Sequence, residues 1–257
     1  MSKKRRSENH EHLKFLEATL SLNGMAYTEG PTKRKTWSIH DLKSIRALTE
    51  NQQLMFNGFA DGFNIFAHGA AGTGKTYLAL YLALSEVLRV DHKQKKIIIV
   101  RSAVPTRESG FLPGSLEEKM AIYEAPYRDI CADLVGRFST YDNMKEAHII
   151  EFQSTSYLRG LTWEDAIIVI DEVQSMSFHE VNSVITRVGN NSRLIICGDR
   201  AQNDLIYKKM DTSGMERALK IFHSMKDDFC EIQFQSADIC RSSFVKHWIQ
   251  ACELIEA

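Results

Sequence analysis

The 257-residue sequence predicts an α/β fold in which a parallel sheet is sandwiched by helices, and three observations carry that prediction. Short apolar runs alternate with stretches of helical periodicity along most of the chain. Several runs, among them Lys96 to Arg101 (KIIIVR) and Ala166 to Asp171 (AIIVID), are almost continuously apolar, which suits strands buried on both faces. A glycine-rich loop also joins one of these runs to the helical stretch that follows it.

Taken in order, residues 1–40 hold one short amphipathic stretch around Leu13 to Leu22 and then polar, turn-rich sequence. They read as a short helical N-terminal arm and linker ahead of one domain over residues 41–257. Asp41 to Gly58 predicts a helix, with Leu42, Ile45, Leu48 and Phe56 near helical spacing. Phe63 to His68 is a strand running into the glycine-rich loop, and Lys75 to Val90 predicts the next helix. After the strand at Lys96 to Arg101, Ser115 and Glu118 form a capping box for a helix that Pro126 is expected to kink or stop. His148 to Gln153, Ala166 to Asp171, Arg193 to Gly198 and Phe229 to Phe234 complete the strands.

The composition is that of an ordinary soluble domain, with 44% apolar and 25% charged residues. A net charge of −1 gives no general affinity for nucleic acid, so such binding would need a local basic patch. The five cysteines are widely spaced without a CxxC pair, which argues against a disulfide framework or a zinc site. Met1 to Arg6 (MSKKRR) has no apolar segment after it, and no run of eighteen apolar residues occurs anywhere. A cytoplasmic location is therefore expected. The KKRR cluster reads as a solvated tail or as a nucleic-acid arm.

Gly69-Ala70-Ala71-Gly72-Thr73-Gly74-Lys75-Thr76 fits the phosphate-binding pattern GxxxxGK[ST], with a strand before it and a helix after it. The glycines let successive backbone N–H groups point inward around a phosphate, and the helix N-terminus adds partial positive charge. Lys75 is placed to reach the β- and γ-phosphates of a nucleoside triphosphate, and the Thr76 hydroxyl to bind Mg2+. The strand Ala166 to Ile170 then ends in Asp171-Glu172. Asp171 can hold magnesium directly or through water, and Glu172 can polarise a water for attack on the γ-phosphate. A metabolite kinase needs no such acid, so the pair points to hydrolysis.

Gly198-Asp199-Arg200-Ala201-Gln202 follows another strand and gives GDxxQ, in which Gln202 is a candidate γ-phosphate sensor. Upstream, Gln52 could read an adenine edge through its amide, which would favour ATP; Gln53 competes for that role.

The ordered series GAAGTGKT, RSAVPTRESGFLPGSLEEK, YLRGLTWEDAIIVIDEVQSMS, TRVGNNSRLIICGDRAQNDL and DICRSSFVKHWI resembles the PhoH-like family of ATPases, which is related to superfamily 1 helicases. The resemblance covers roughly residues 45 to 250. It implies a RecA-like P-loop core, ATP hydrolysis, a ring-forming homo-oligomer with hexamers among the options, and action on RNA or single-stranded nucleic acid. Leu161 and Val173 stand where related sequences usually carry Arg and Ala, and the first removes a positive charge near the expected strand-binding surface. Arg107, Phe111 and Arg159 are the candidate nucleic-acid contacts, an aromatic among cations being suited to stacking on a base. Phe111 could equally enter the core or meet a neighbouring subunit.

Arg241, in Ile239-Cys240-Arg241-Ser242-Ser243, resembles the arginine of the superfamily 1 NYRS-type motif. It is the first candidate for a finger that stabilises transition-state charge, with Arg187 second; a surface salt bridge is the alternative for each. With one P-loop and no room for a second RecA-like domain, that finger is expected from a neighbouring subunit. Two functions follow as expectations: an ATP-driven motor on RNA or single-stranded nucleic acid, and a non-translocating ATPase switch acting on a protein partner.

Overall fold

A computed structural model describes residues 37–102, 116–158, 160, 162–199 and 214–256. The expected arm before residue 37 and the Ser115 cap lie outside the described residues. All six expected strands form: β1 (Asn64–Gly69), β2 (Lys96–Arg101), β3 (Ile150–Ser154), β4 (Ala166–Ile170), β5 (Arg193–Gly198) and β6 (Phe229–Phe234). They pair in one parallel sheet in the order β3-β2-β4-β5-β1-β6. The fold is thus the expected α/β, RecA-like P-loop arrangement.

The apolar runs are explained by what covers them. Residues 97–100 of β2 and all five residues of β4 have no exposed surface. Successive residues alternate between two cores, because side chains along a strand point to opposite faces. Ile65, Ile97, Ile99, Ile167 and Ile195 join one core, while Phe66, Ile98, Ile168 and Ile196 join the other. Helices α1 (Glu50–Ala60), α2 (Lys75–Val87), α3 (Leu116–Val135) and α4 (Thr140–Glu146) supply the first core. Helices α5 (Phe178–Ile185) and α6 (Gly214–Ser224) supply the second. Each fully buried Ile or Leu is worth about 1.5–3 kcal/mol over its exposed state, so the central strands hold the domain together.

Three helix expectations are corrected. The stretch expected as helix from Asp41 starts instead with a 3-10 turn at Ile39–Asp41, and α1 begins only at Glu50. The Asp41 carboxylate accepts from the Ser38 N–H, and Lys43 N–H donates to the Leu134 carbonyl at 2.7 Å, so these backbone groups leave the helical ladder. Thr49 then caps α1, its hydroxyl accepting from the Gln52 N–H. Helix α3 runs through Pro126 to Val135 rather than stopping there. Tyr127, Cys131 and Leu134, all fully buried beyond the proline, keep the later turns docked, and the Arg128 guanidinium donates to the Ala121 carbonyl at 3.1 Å. Helix α2 also ends three residues earlier than expected, at Val87. A last helix, α7 (Ser243–Glu256), follows β6 and a 3-10 turn at Ser236–Asp238. No helix among the described residues is long and apolar enough to cross a membrane.

Arg193, at the start of β5, locks the lower end of the sheet. Its Nη2 donates to the carbonyls of Phe59 at 2.6 Å and Phe63 at 2.8 Å, its Nη1 lies 3.6 Å from Glu86, and its guanidinium stacks 3.8 Å from the Phe59 ring. Leaving a buried acceptor unsatisfied costs about 1–3 kcal/mol. Arg193→Met should therefore lower the unfolding free energy by about 2–4 kcal/mol, read from urea midpoints. An unchanged midpoint would show that the sheet does not depend on this clasp.

Candidate functional site

The loop, the acids and the GD turn all lie where β1, β4 and β5 end, the edge at which open parallel sheets bind ligands. They line one cavity of about 1060 Å³, enough for a nucleoside triphosphate, together with Gln52, Arg101 and Arg241.

The loop's shape requires its glycines. Gly69 has φ +112°, and a Cβ there would sit 2.0 Å from the Phe234 carbonyl oxygen of β6. Ala70 N–H donates to that same oxygen at 3.0 Å, so the chain leaves β1 pressed against β6. Gly74, at φ +87°, turns the loop into α2, whose first N–H groups have no carbonyl partner within the helix. The Lys75 ammonium donates to the carbonyls of Gly69 at 2.9 Å and Ala70 at 2.7 Å. Burial lowers its pKa, while the charges of Asp199, Glu172 and Asp171 act to raise it. A cation whose charged form burial disfavours gains from an anionic ligand.

Asp171, at the end of β4, is buried. Its Oδ1 accepts from the Thr76 hydroxyl at 2.8 Å and its Oδ2 from the Tyr127 hydroxyl at 2.9 Å. Burial, and then the Glu172 charge, push its carboxyl above the usual carboxylate range, against the hydrogen bonds from Thr76 and Tyr127 and the charge of Arg101. A nearby divalent cation would relieve that penalty. Adjacent ligands of Mg2+, each about 2.1 Å from the metal, lie about 3 Å apart, so the Thr76 and Asp171 oxygens fit one such ion. No cluster of three or more His, Cys, Asp or Glu able to hold a metal occurs among the described residues. That agrees with the habit of Mg2+ of binding through one or two protein oxygens, with water and phosphate completing its shell.

Glu172 adopts a left-handed backbone conformation (φ 55°, ψ 43°) at the entry to a 3-10 turn, Val173–Ser175. Its Oε2 accepts a hydrogen bond from the Gln174 side-chain amide. The Gln174 carbonyl accepts in turn from the Asp199 N–H at 2.9 Å. Val173 is fully buried, with its Cγ1 2.6 Å from where a Gly198 Cβ would stand; the valine fills the space that Gly198 leaves.

Gln52 lines the cavity, but both ends of its amide are taken up by protein. Its oxygen accepts from Leu48 N–H at 2.8 Å, and its NH2 donates to the Thr73 carbonyl at 3.0 Å and meets the Cys240 sulfur at 3.3 Å. Gln53 bonds Asn57 instead.

Arg241, the first candidate for the finger, lies beside its own chain's phosphate loop. Its Cγ would be 3.0 Å from a Cβ on Gly72 of its own chain, and Cys240 N–H donates to the Gly72 carbonyl at 3.0 Å. The turn after β6 wraps the same chain's phosphate loop, and that carries Arg241 there. Arg187, the second candidate, donates to the carbonyls of Leu158 and Ser183. Gln202, Arg107, Phe111, Arg159 and Leu161 lie outside the described residues.

Sequence reading missed Tyr127 and Gln174. Nothing in the spacing of Tyr127 announces its contact with Asp171, whereas Gln174, two residues after Glu172 in the same motif, could have been singled out.

The family model described as PhoH-like protein matches residues 44–253. Over 210 residues the chain is 37% identical to a PhoH-like protein of Bacillus subtilis (strain 168), covering 81% of this chain and 64% of that one. Over 221 residues it is 32% identical to Protein PhoH of Escherichia coli (strain K12), covering 85% and 57%. The chain thus spans about three fifths of the length of these relatives. A crystal structure of Pif1 helicase from Candida albicans aligns over 74% of this chain and 40% of that one, with TM-score 0.37 and 16% identity, too distant a likeness to support a functional reading. The ordered motifs, the site they build and the match over residues 44–253 make this chain a member of the PhoH-like family.

Proposed function

We propose that this chain is a magnesium-dependent ATP hydrolase that acts, as a homo-oligomer, on RNA or single-stranded nucleic acid. The observation that carries the ATPase reading is the 2.8 Å hydrogen bond between Thr76 and Asp171, which brings the phosphate loop and the acidic strand end to one point. In this reading Gly69 to Thr76 cradle the triphosphate through backbone N–H groups, and Lys75 exchanges its loop carbonyls for phosphate oxygens. Thr76 and Asp171 hold Mg2+, which supplies charge neutralisation for the phosphates. Glu172 accepts a proton from the attacking water as the new bond to the γ-phosphorus forms. The bond from phosphorus to the β–γ bridging oxygen breaks, and that oxygen leaves with ADP. Gln202 senses the γ-phosphate, and Arg241 stabilises the charge that builds up during transfer, from the same chain.

The motif series over residues 45 to 250 supports the nucleic-acid part, with Arg107, Phe111 and Arg159 as contacts. A different observation favours the alternative of an ATPase switch for a protein partner: Phe244 and Trp248, one turn apart on α7, are 74% and 64% exposed. Such apolar exposure on a helix suits a protein surface.

ATP turnover of wild type and Glu172→Gln, each with and without RNA and single-stranded DNA at low salt, tests both parts. Loss of the acid should lower turnover by about 100-fold or more while nucleotide binding is kept. Full activity in Glu172→Gln would remove the water-activating role. Turnover that no nucleic acid changes would leave the switch reading.

Mixing two inactive variants tests the placement of Arg241. If the arginine serves its own loop, Lys75→Ala and Arg241→Ala proteins stay inactive together. Recovery of turnover on mixing would return Arg241 to a neighbour's site.

A further inference from the structure

Beyond the groups that face the nucleotide, we infer that Gln174 is a positioning residue that ties the water-activating acid to the GDxxQ segment. The inference rests on the proposed role of Glu172 and adds to it.

Glu172 sits in a backbone conformation that residues with a Cβ seldom adopt, at φ 55°. Its carboxylate needs something to fix its direction, because a glutamate side chain is otherwise free to rotate. Gln174 supplies that restraint. Its side chain is 1% exposed, its NH2 donates to one oxygen of Glu172, and its carbonyl accepts from the Asp199 N–H at 2.9 Å. One planar amide therefore joins the end of β4 to the first residue after β5.

The surrounding packing leaves the amide little freedom. The turn closes on itself through Ser175 N–H to the Glu172 carbonyl at 2.9 Å and Met176 N–H to the Val173 carbonyl at 3.1 Å. A Cβ at Gly198 would stand 2.6 Å from Val173 Cγ1 and 3.3 Å from Gln174 Oε1, so the turn rides directly on the end of β5. A shift of the chain at Asp199 must move the Gln174 carbonyl, and with it the N–H that holds Glu172. The acid's aim is thus coupled to the segment that leads to Gln202, three residues after Asp199.

The test uses Gln174→Met, which removes both bonds at similar volume, and Gln174→Glu. The second keeps an acceptor for the Asp199 N–H but sets a like-charged carboxylate in place of the donor to Glu172, which turns the acid away; it gives a second reading if the methionine variant fails to fold. A misplaced catalytic group costs up to about 100-fold. The full-length Gln174→Glu protein should show turnover reduced about 10- to 100-fold, with ATP affinity within about twofold of wild type. Single-turnover rates at enzyme excess keep the residual activity of Glu172→Gln measurable. In that background, Gln174→Glu should cause no further loss, because its effect passes through the carboxylate already removed. A loss that repeats in full in the Glu172→Gln background overturns the inference, as does wild-type turnover in Gln174→Glu. Should Glu172→Gln itself turn over normally, the proposed hydrolytic role falls and takes this inference with it. Those outcomes are read from different proteins, so the two failures remain distinct.

Discussion

The hydrogen bond from Thr76 to Asp171 depends on a spacing that the sheet sets. Strands β1 and β4 are separated by β5 alone. Neighbouring strands lie about 4.8 Å apart, so the phosphate loop and the acidic end start roughly 10 Å from each other. Thr76, in the first turn of α2, spans that gap over the end of β5. A direct β1–β4 neighbourhood would crowd the two motifs, and a second intervening strand would part them. The place of β5 also explains why the GD turn, and through it Gln174, arrives between the loop and the acid.

This spacing needs a fixed register, and hydrophobicity does little to fix it. Strands β2, β4 and β5 are apolar on both faces, so a one-residue slip would exchange isoleucine for isoleucine rather than expose a polar side. Polar groups at the strand ends break that degeneracy. Asn64 Oδ1 accepts from Leu194 N–H at 2.9 Å, Ser192 Oγ accepts from Ala166 N–H at 3.1 Å, and Arg193 reaches the carbonyls of Phe59 and Phe63. These contacts gather at the end of the sheet opposite the cavity. The site is thereby aligned from below, and its own residues are spared for ligand.

Strands β2, β4 and β5 were legible because their runs of isoleucine, leucine and valine, buried on two faces, leave a plain trace in the sequence. The loop and the acids were legible because phosphate chemistry demands fixed residue types at fixed spacing. What escaped depended on partners distant in sequence. Asp41 to Thr49 has helical periodicity, yet Lys43 bonds Leu134, and Ile39 N–H bonds the Leu88 carbonyl just before it; those tertiary bonds outweighed a local preference. Pro126 signals a helix break, yet the buried Tyr127, Cys131 and Leu134 hold α3 in place beyond it. Gln52 was legible as a residue of the cavity but not as a tether between Leu48, Thr73 and Cys240, since no spacing rule announces these three partners together.

The turn after β6 changes how the site is assembled. Phe234 binds Ala70, Cys240 binds both Gly72 and Gln52, and Asp238 accepts from Asn51 at 2.7 Å. Residues 234–241 therefore form a strap over the outer side of the phosphate loop, held at both its ends and its middle. Arg241 ends that strap, and α7 begins two residues later. A neighbouring subunit was expected to lend the arginine. Here the strap brings Arg241 to the loop of its own chain. Any displacement of α7 would also reach the phosphate loop directly, because only Ser242 separates the helix from the arginine packed on Gly72.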